Sequence, residues 1–156
     1  DAVRAAFPAE KPVGVRISAT DWVEGGWDLD DSVALAHLLE GRHCDFIHVS
    51  SGGLSPQQQI PLGPGYQVEL CAAITQSSEM FTITVGQIDD AKQAETIVRT
   101  GQADMVALAR GMLFDPHWTW RAAQALGAEA PYPRQYERAL SGFKTMATPN
   151  DPPPGN

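Results

Sequence analysis

From residue 13 onward the chain alternates two kinds of hydrophobic pattern: short β-branched runs of period two, and stretches with apolar residues at helical spacing. Residues 13–19 set Val13, Val15 and Ile17 on one face against Arg16 and Ser18, the pattern of a strand. After a polar, Gly-containing loop over 20–28, residues 32–40 place Leu35, Leu38 and Leu39 on one helical face, with Gly41 as the stop. A second strand over 45–50 runs into Ser51, Gly52 and Gly53, and a long loop rich in Pro, Gln and Gly reaches Gly65. The helix predicted over 66–75 carries Leu70 and Ile74 on one stripe. Residues 81–85 form a third strand ending at Gly86. The following helix, capped by Asp89 or Asp90, turns Ala91, Ala94, Ile97 and Val98 inward and stops at Gly101. A fourth strand, 104–109, ends at Arg110, and Asp115 and Pro116 are a good cap and first residue for a helix through Leu126, ended by Gly127.

The flanks read differently. Residues 1–7 put Val3, Ala6 and Phe7 on one helical face and close at Pro8, which suggests the last turns of a helix whose beginning is absent. A short polar helix is expected around 134–140. Residues 141–156 have little apolar content to bury and are expected to be a disordered, Pro-rich tail beyond a structured unit over 1–140.

Four strand–helix units in sequence imply an α/β fold with a parallel sheet. A doubly wound dinucleotide-binding sheet should carry GxGxxG after a strand, and the chain has none. A (β/α)8 barrel of the TIM type needs roughly 250 residues, so four units would be half of one. The half-helix at Asp1 favours that second architecture. Such a half exposes open strand edges and half a core, so it should need a partner chain.

Composition narrows the function. At 156 residues, 43% hydrophobic and 19% charged, the chain suits one packed domain. A formal charge of -8 argues against non-specific binding to nucleic acid or an anionic membrane. No apolar run approaches the roughly 18 residues of a membrane span. Cys44 and Cys71 make neither CxxC nor a disulfide framework, so a reducing cytoplasm is expected.

The chemistry should gather where the strands end. In a barrel the active site lies at the C-terminal ends of the strands, and phosphate often binds after the last two. Here those strands end in Gly86 and in Arg110-Gly111. A glycine lets backbone N–H groups approach an anion, and arginine binds phosphate oxygens bidentately. Arg16, inside an apolar strand, reads either as a salt-bridged core residue or as a cation for an electron-rich cofactor ring. Ser50-Ser51-Gly52-Gly53 is a plain turn or a close approach to a ligand. The four histidines, His37, His43, His48 and His117, form no metal-binding pattern.

Several stretches carry a resemblance: 15–22 (Val-Arg-Ile-Ser-Ala-Thr-Asp-Trp), 45–53, 63–67 (Gly-Pro-Gly-Tyr-Gln) and 84–86, then 101–110, 113–116 and 135–138, in this order. In this ordered set the chain resembles the C-terminal half of the Old Yellow Enzyme family, in its compact thermophilic-like bacterial branch of NADPH-dependent ene-reductases. The resemblance implies units five to eight of an FMN-containing TIM barrel, with NAD(P)H as reductant and an α,β-unsaturated carbonyl compound as substrate. On matching positions, Arg16 would face the N1/C2 side of the flavin and favour negative charge there. Gly86, Ala109 and Arg110 would hold the phosphate, with Ser51 and Gly52 near it. Arg138 resembles an arginine that reaches into the active site of a neighbouring subunit, which implies a homo-oligomer. The family often has Gly at the position of Ala109, Tyr at that of Trp22 and an aromatic at that of Leu140. Its substrate-carbonyl site, a histidine pair or a His/Asn pair, and its tyrosine proton donor belong to the half not found here, so an N-terminal half-barrel chain is the implied partner. The alternative is a non-catalytic flavin- or phosphate-binding half-barrel that acts only through another chain.

Overall fold

The structure, a computed structural model, describes residues 1–130 and 132–138. The expected tail over 141–156 lies outside them. Strands β1 (Gly14–Ser18), β2 (Phe46–Ser50), β3 (Phe81–Val85) and β4 (Met105–Ala107) form one parallel sheet in sequence order. Each is followed by a helix: α2 (Leu29–Glu40), α3 (Val68–Ser77), α4 (Ala91–Arg99) and, after β4, the short α5 (Arg110–Phe114) and then α6 (Trp118–Ala125). A short α1 (Ala2–Ala6) precedes them, and a 3-10 turn (Arg134–Tyr136) runs into helical residues 137–138, the described part of the helix expected over 134–140.

The strand register explains which residues meet the helices. Arg16 pairs with His48 and His48 with Ile83, while Ile17 aligns with Val49 and Val49 with Thr84. Side chains alternate across a sheet, so Ile17, Ile47, Val49, Thr82 and Thr84 fall on one face. There Ile47 and Val49 are fully buried with Cys71 and Ile74 of α3, and Ile97 of α4 joins the same core. The opposite face carries Arg16, Phe46, His48, Phe81, Ile83 and Met105, and it stays open: Phe81 is 62% exposed and Met105 44%. Among the described residues, the outer strands β1 and β4 each pair on one side only.

Local chemistry sets the helix ends. Helix α2 starts three residues earlier than apolar spacing predicts, because Asp28 and Asp31 form a reciprocal capping box, each carboxylate accepting from the other's backbone N–H. Asp90, rather than Asp89, caps α4 by accepting from the Gln93 N–H at 2.8 Å. Strand β4 is shorter than expected, and Arg110 opens α5 instead of ending a strand. As a result Asp115 does not cap α6. It accepts from the His117 N–H at 3.1 Å and pairs with Arg121, and α6 begins at Trp118.

At the N-terminal end of the sheet Arg4 acts as a clamp. Its guanidinium reaches the Asp45 carboxylate at 3.2 Å and the carbonyls of Pro8 and Lys11 at 2.6 and 3.0 Å. Asp45 in turn accepts from the Val13 N–H at 2.7 Å. The apolar face expected on the first segment is largely uncovered, with Val3 and Phe7 both exposed.

Candidate active site

A cleft of about 740 Å³ opens at the C-terminal ends of all four strands. That volume lies within the range of small-molecule and cofactor sites. Of the residues singled out in the sequence, Arg16, Ser51, Gly52, Gly86, Ala109 and Arg110 all line it. Arg138 does not, and it lies exposed after the 3-10 turn.

Arg16 projects from β1 onto the open face, where it is exposed rather than held in a salt-bridged core. No ion pair engages it among the described residues. Its neighbour is the His48 ring, with Nη1 at 3.4 Å from each ring nitrogen. Partial burial and, next, the Arg16 charge push the His48 pKa below its ordinary value. His48 therefore leaves Arg16 as the single cation of the pair. His48 belongs to no metal or catalytic sequence pattern, and its place beside Arg16 follows from the β1–β2 register.

Three serines at the tops of β1 and β2 are occupied as struts. Ser18 Oγ donates to the Gly52 carbonyl at 3.0 Å, Ser50 Oγ to the Ile17 carbonyl at 2.8 Å, and Ser51 Oγ to Gln67 Oε1 at 2.7 Å. The Gly52 N–H donates to the Thr20 carbonyl at 2.8 Å, so it is not free to meet an anion. Gly52 therefore shapes the cleft rather than donating to it.

Gly86 turns the chain at the top of β3 with φ +127°, and its carbonyl accepts from the Gly65 N–H at 2.9 Å. A Cβ at that position would stand 2.7 Å from Gln67 Nε2 and 2.9 Å from Tyr66 Cε1. The absent side chain is what keeps the cleft open between β3 and the entry to α3. Gln87 follows in the left-handed region at φ 50°, a strained conformation of the kind that clusters at binding sites. After β4, Ala109 stands immediately before α5 and Arg110 is its first residue, both exposed to the cleft. No hydrogen bond or ion pair holds the Arg110 guanidinium among the described residues.

This donor set suits a phosphorylated, ring-bearing ligand. Two arginines, Arg16 and Arg110, line one cleft against a single carboxylate, Asp89. The cradle at Gly86 is closed by any Cβ. FMN fits these features: a dianion needs a cation and close backbone approach, and a flat electron-rich ring system is favoured by a second cation.

The profile of the NADH:flavin oxidoreductase / NADH oxidase family matches residues 1–129. The NADPH dehydrogenase of Halalkalibacterium halodurans is 41% identical over 128 residues, which cover 82% of this chain and 38% of that protein. The NADPH dehydrogenase of Bacillus subtilis is 39% identical over 127 residues, covering 81% of this chain and 37% of that one. A third, from Geobacillus sp. (strain WCH70), is 41% identical over 138 residues, 88% of this chain and 40% of the relative. The chain thus spans about two fifths of the length of the curated relatives it matches, in their C-terminal part.

Proposed function

Because the chain belongs to the NADH:flavin oxidoreductase / NADH oxidase family, we propose that it is the C-terminal half, units five to eight, of a flavin-dependent (β/α)8 barrel. The assembled protein reduces the activated C=C bond of α,β-unsaturated carbonyl compounds, with FMN as cofactor and NADPH as reductant. The observation that carries this reading is the convergence of Arg16, Gly86, Ala109 and Arg110 on one cleft at the C-terminal ends of parallel strands. FMN, when bound, supplies the hydride chemistry that the side chains here lack.

Each residue has a physical task in this scheme. Arg110 offers a guanidinium fork to two phosphate oxygens, and Ala109 and Gly86 leave backbone close enough to follow them. Arg16, lying on a neutral His48, presents an undivided positive charge to the ring system and so raises its affinity for electrons.

The open face supports a completing partner in this reading. Phe46, Phe81, Ile83 and Met105 form a layer that a closed barrel would bury. An N-terminal half-barrel of the same protein covers them and brings the groups that polarise the substrate carbonyl and deliver its proton. Assembled barrels associate further as homo-oligomers, in which Arg138 reaches a neighbouring site. With Cys44 and Cys71 both free thiols, we place the protein in a reducing cytoplasm.

Native mass spectrometry of the purified protein, followed by turnover of a simple enone with NADPH, tests the reading. One FMN per completed barrel and NADPH-dependent loss of the enone support it. A completed barrel without flavin overturns it. Bound flavin with no enone turnover leaves the binding half standing and sinks the ene-reductase.

A further inference from the structure

One hydroxyl in the cleft has a fixed polarity. Gln67 is 3% exposed at the entry to α3, and its Nε2 donates to the Val85 carbonyl at 2.6 Å. A peptide carbonyl only accepts, so Val85 decides which end of the amide is nitrogen. Turned the other way, two acceptor oxygens would face each other at that distance. Gln67 Oε1 must therefore face Ser51, and the Ser51 hydroxyl hydrogen must point to it, across 2.7 Å. A hydroxyl has one hydrogen and two lone pairs. Ser51 lines the cleft, and its Oγ makes no other hydrogen bond among the described residues. Toward a ligand it can only accept.

Building on the flavin reading above, we infer that Ser51 accepts a hydrogen bond from a hydroxyl of the ligand's sugar-alcohol chain, and that Gln67 is the positioning residue that fixes this polarity. A phosphate dianion is acceptor throughout. It could use Ser51 only by drawing the hydroxyl away from Gln67, which would leave a buried amide oxygen unpaired. A ligand hydroxyl donates to Ser51 with nothing broken. Ser18 and Ser50 are no better as donors to the phosphate, because their hydroxyls already donate to the Gly52 and Ile17 carbonyls. The phosphate is left to Arg110.

Three flavins separate the possibilities: FMN, riboflavin without the phosphate, and lumiflavin without the sugar-alcohol chain. Each is titrated into the protein freed of its flavin, with fluorescence quenching as the readout. Ser51→Ala should weaken FMN and riboflavin by the same factor, about 3- to 10-fold, and leave lumiflavin within about twofold. Ser51→Thr, which keeps the hydroxyl, should match the parent for all three. Gln67→Met should reproduce the Ser51→Ala profile, and combining the two should add little, whereas a merely structural role would weaken lumiflavin as well. Should Ser51→Ala not fold, Ser51→Cys carries the same comparison, since its S–H can still donate to Gln67 while sulfur accepts weakly. Loss confined to FMN would make Ser51 a phosphate donor and overturn the inference, and equal loss for lumiflavin would overturn it too. A parent protein that binds none of the three overturns the flavin reading itself, and this inference with it.

Discussion

Arg16 lies across the face of the His48 ring. Its Nη1 is 3.4 Å from Nδ1 and 3.4 Å from Nε2, and those nitrogens flank Cε1 on either side. An approach in the ring plane between them would drive Nη1 into Cε1, so the guanidinium sits above the plane, as arginine does on flat side chains.

That stacking predicts a pH dependence. In the unfolded chain His48 titrates near its ordinary value of about 6.5, and in the fold it titrates lower, because burial and then the Arg16 charge oppose protonation. Below about pH 6.5 the unfolded state binds more protons at this site, so its contribution makes stability rise with pH and is lost on acidification. His48→Phe keeps a flat ring under Arg16 and removes the titration. Urea midpoints at about pH 7.5 and about pH 5.5 should differ more for the parent than for the variant. Equal differences would refute the assignment.

Arg110 should matter to the phosphate alone. Arg110→Ala is expected to raise the FMN dissociation constant about 10- to 100-fold and to leave riboflavin within about twofold. Arg110→Lys, a point charge without the fork, should fall between. Calorimetric titration of both flavins decides it.

Crowding and backbone strain can be told apart at two glycines. Gly86→Ala must adopt φ +127° and push against Gln67 and Tyr66, whereas Gly25→Ala faces φ +72° with open space around it. We expect a loss of about 2–4 kcal/mol at Gly86 and about 1 kcal/mol at Gly25 in denaturant unfolding. Only the first should also weaken flavin binding.

The capping box at the start of α2 gives a prediction remote from the cleft. Asp28→Ala should cost about 1 kcal/mol, and Asp31→Ala less, with the double variant below the sum of the two because each carboxylate serves the other's backbone. Thermal melts of the single and double variants provide the check.

The four strands and the helices between them were legible because their apolar spacing is set by the faces they bury, as at Ile17, Val49 and Ile74. What escaped depends on partners distant in sequence or on segments too short to show a period. Helix α5 is five residues long, less than a pattern needs. Asp28 and Asp31 carry no apolar signal, yet each is a specific hydrogen-bond acceptor, and together they move the start of α2 upstream of its apolar pattern. Arg110 and Gly86 were visible as punctuation at strand ends. Gln67 stands in the 63–67 stretch that carries the resemblance, but its role is not legible there, since that role lies in Ser51 and Val85, sixteen and eighteen positions away.

The Arg4 clamp sits at the opposite end of the strands from the cleft, tying residues 8, 11 and 45 together beneath β1 and β2. Fastening and recognition thus occupy opposite poles of the same sheet. A substitution at Arg4 or Asp45 should hasten unfolding while leaving ligand preference untouched. Outside Ser51, Gly52 and Gly86, changes in the loops above Ser18, Ser50 and Val85 can therefore alter recognition without disturbing how the sheet is held.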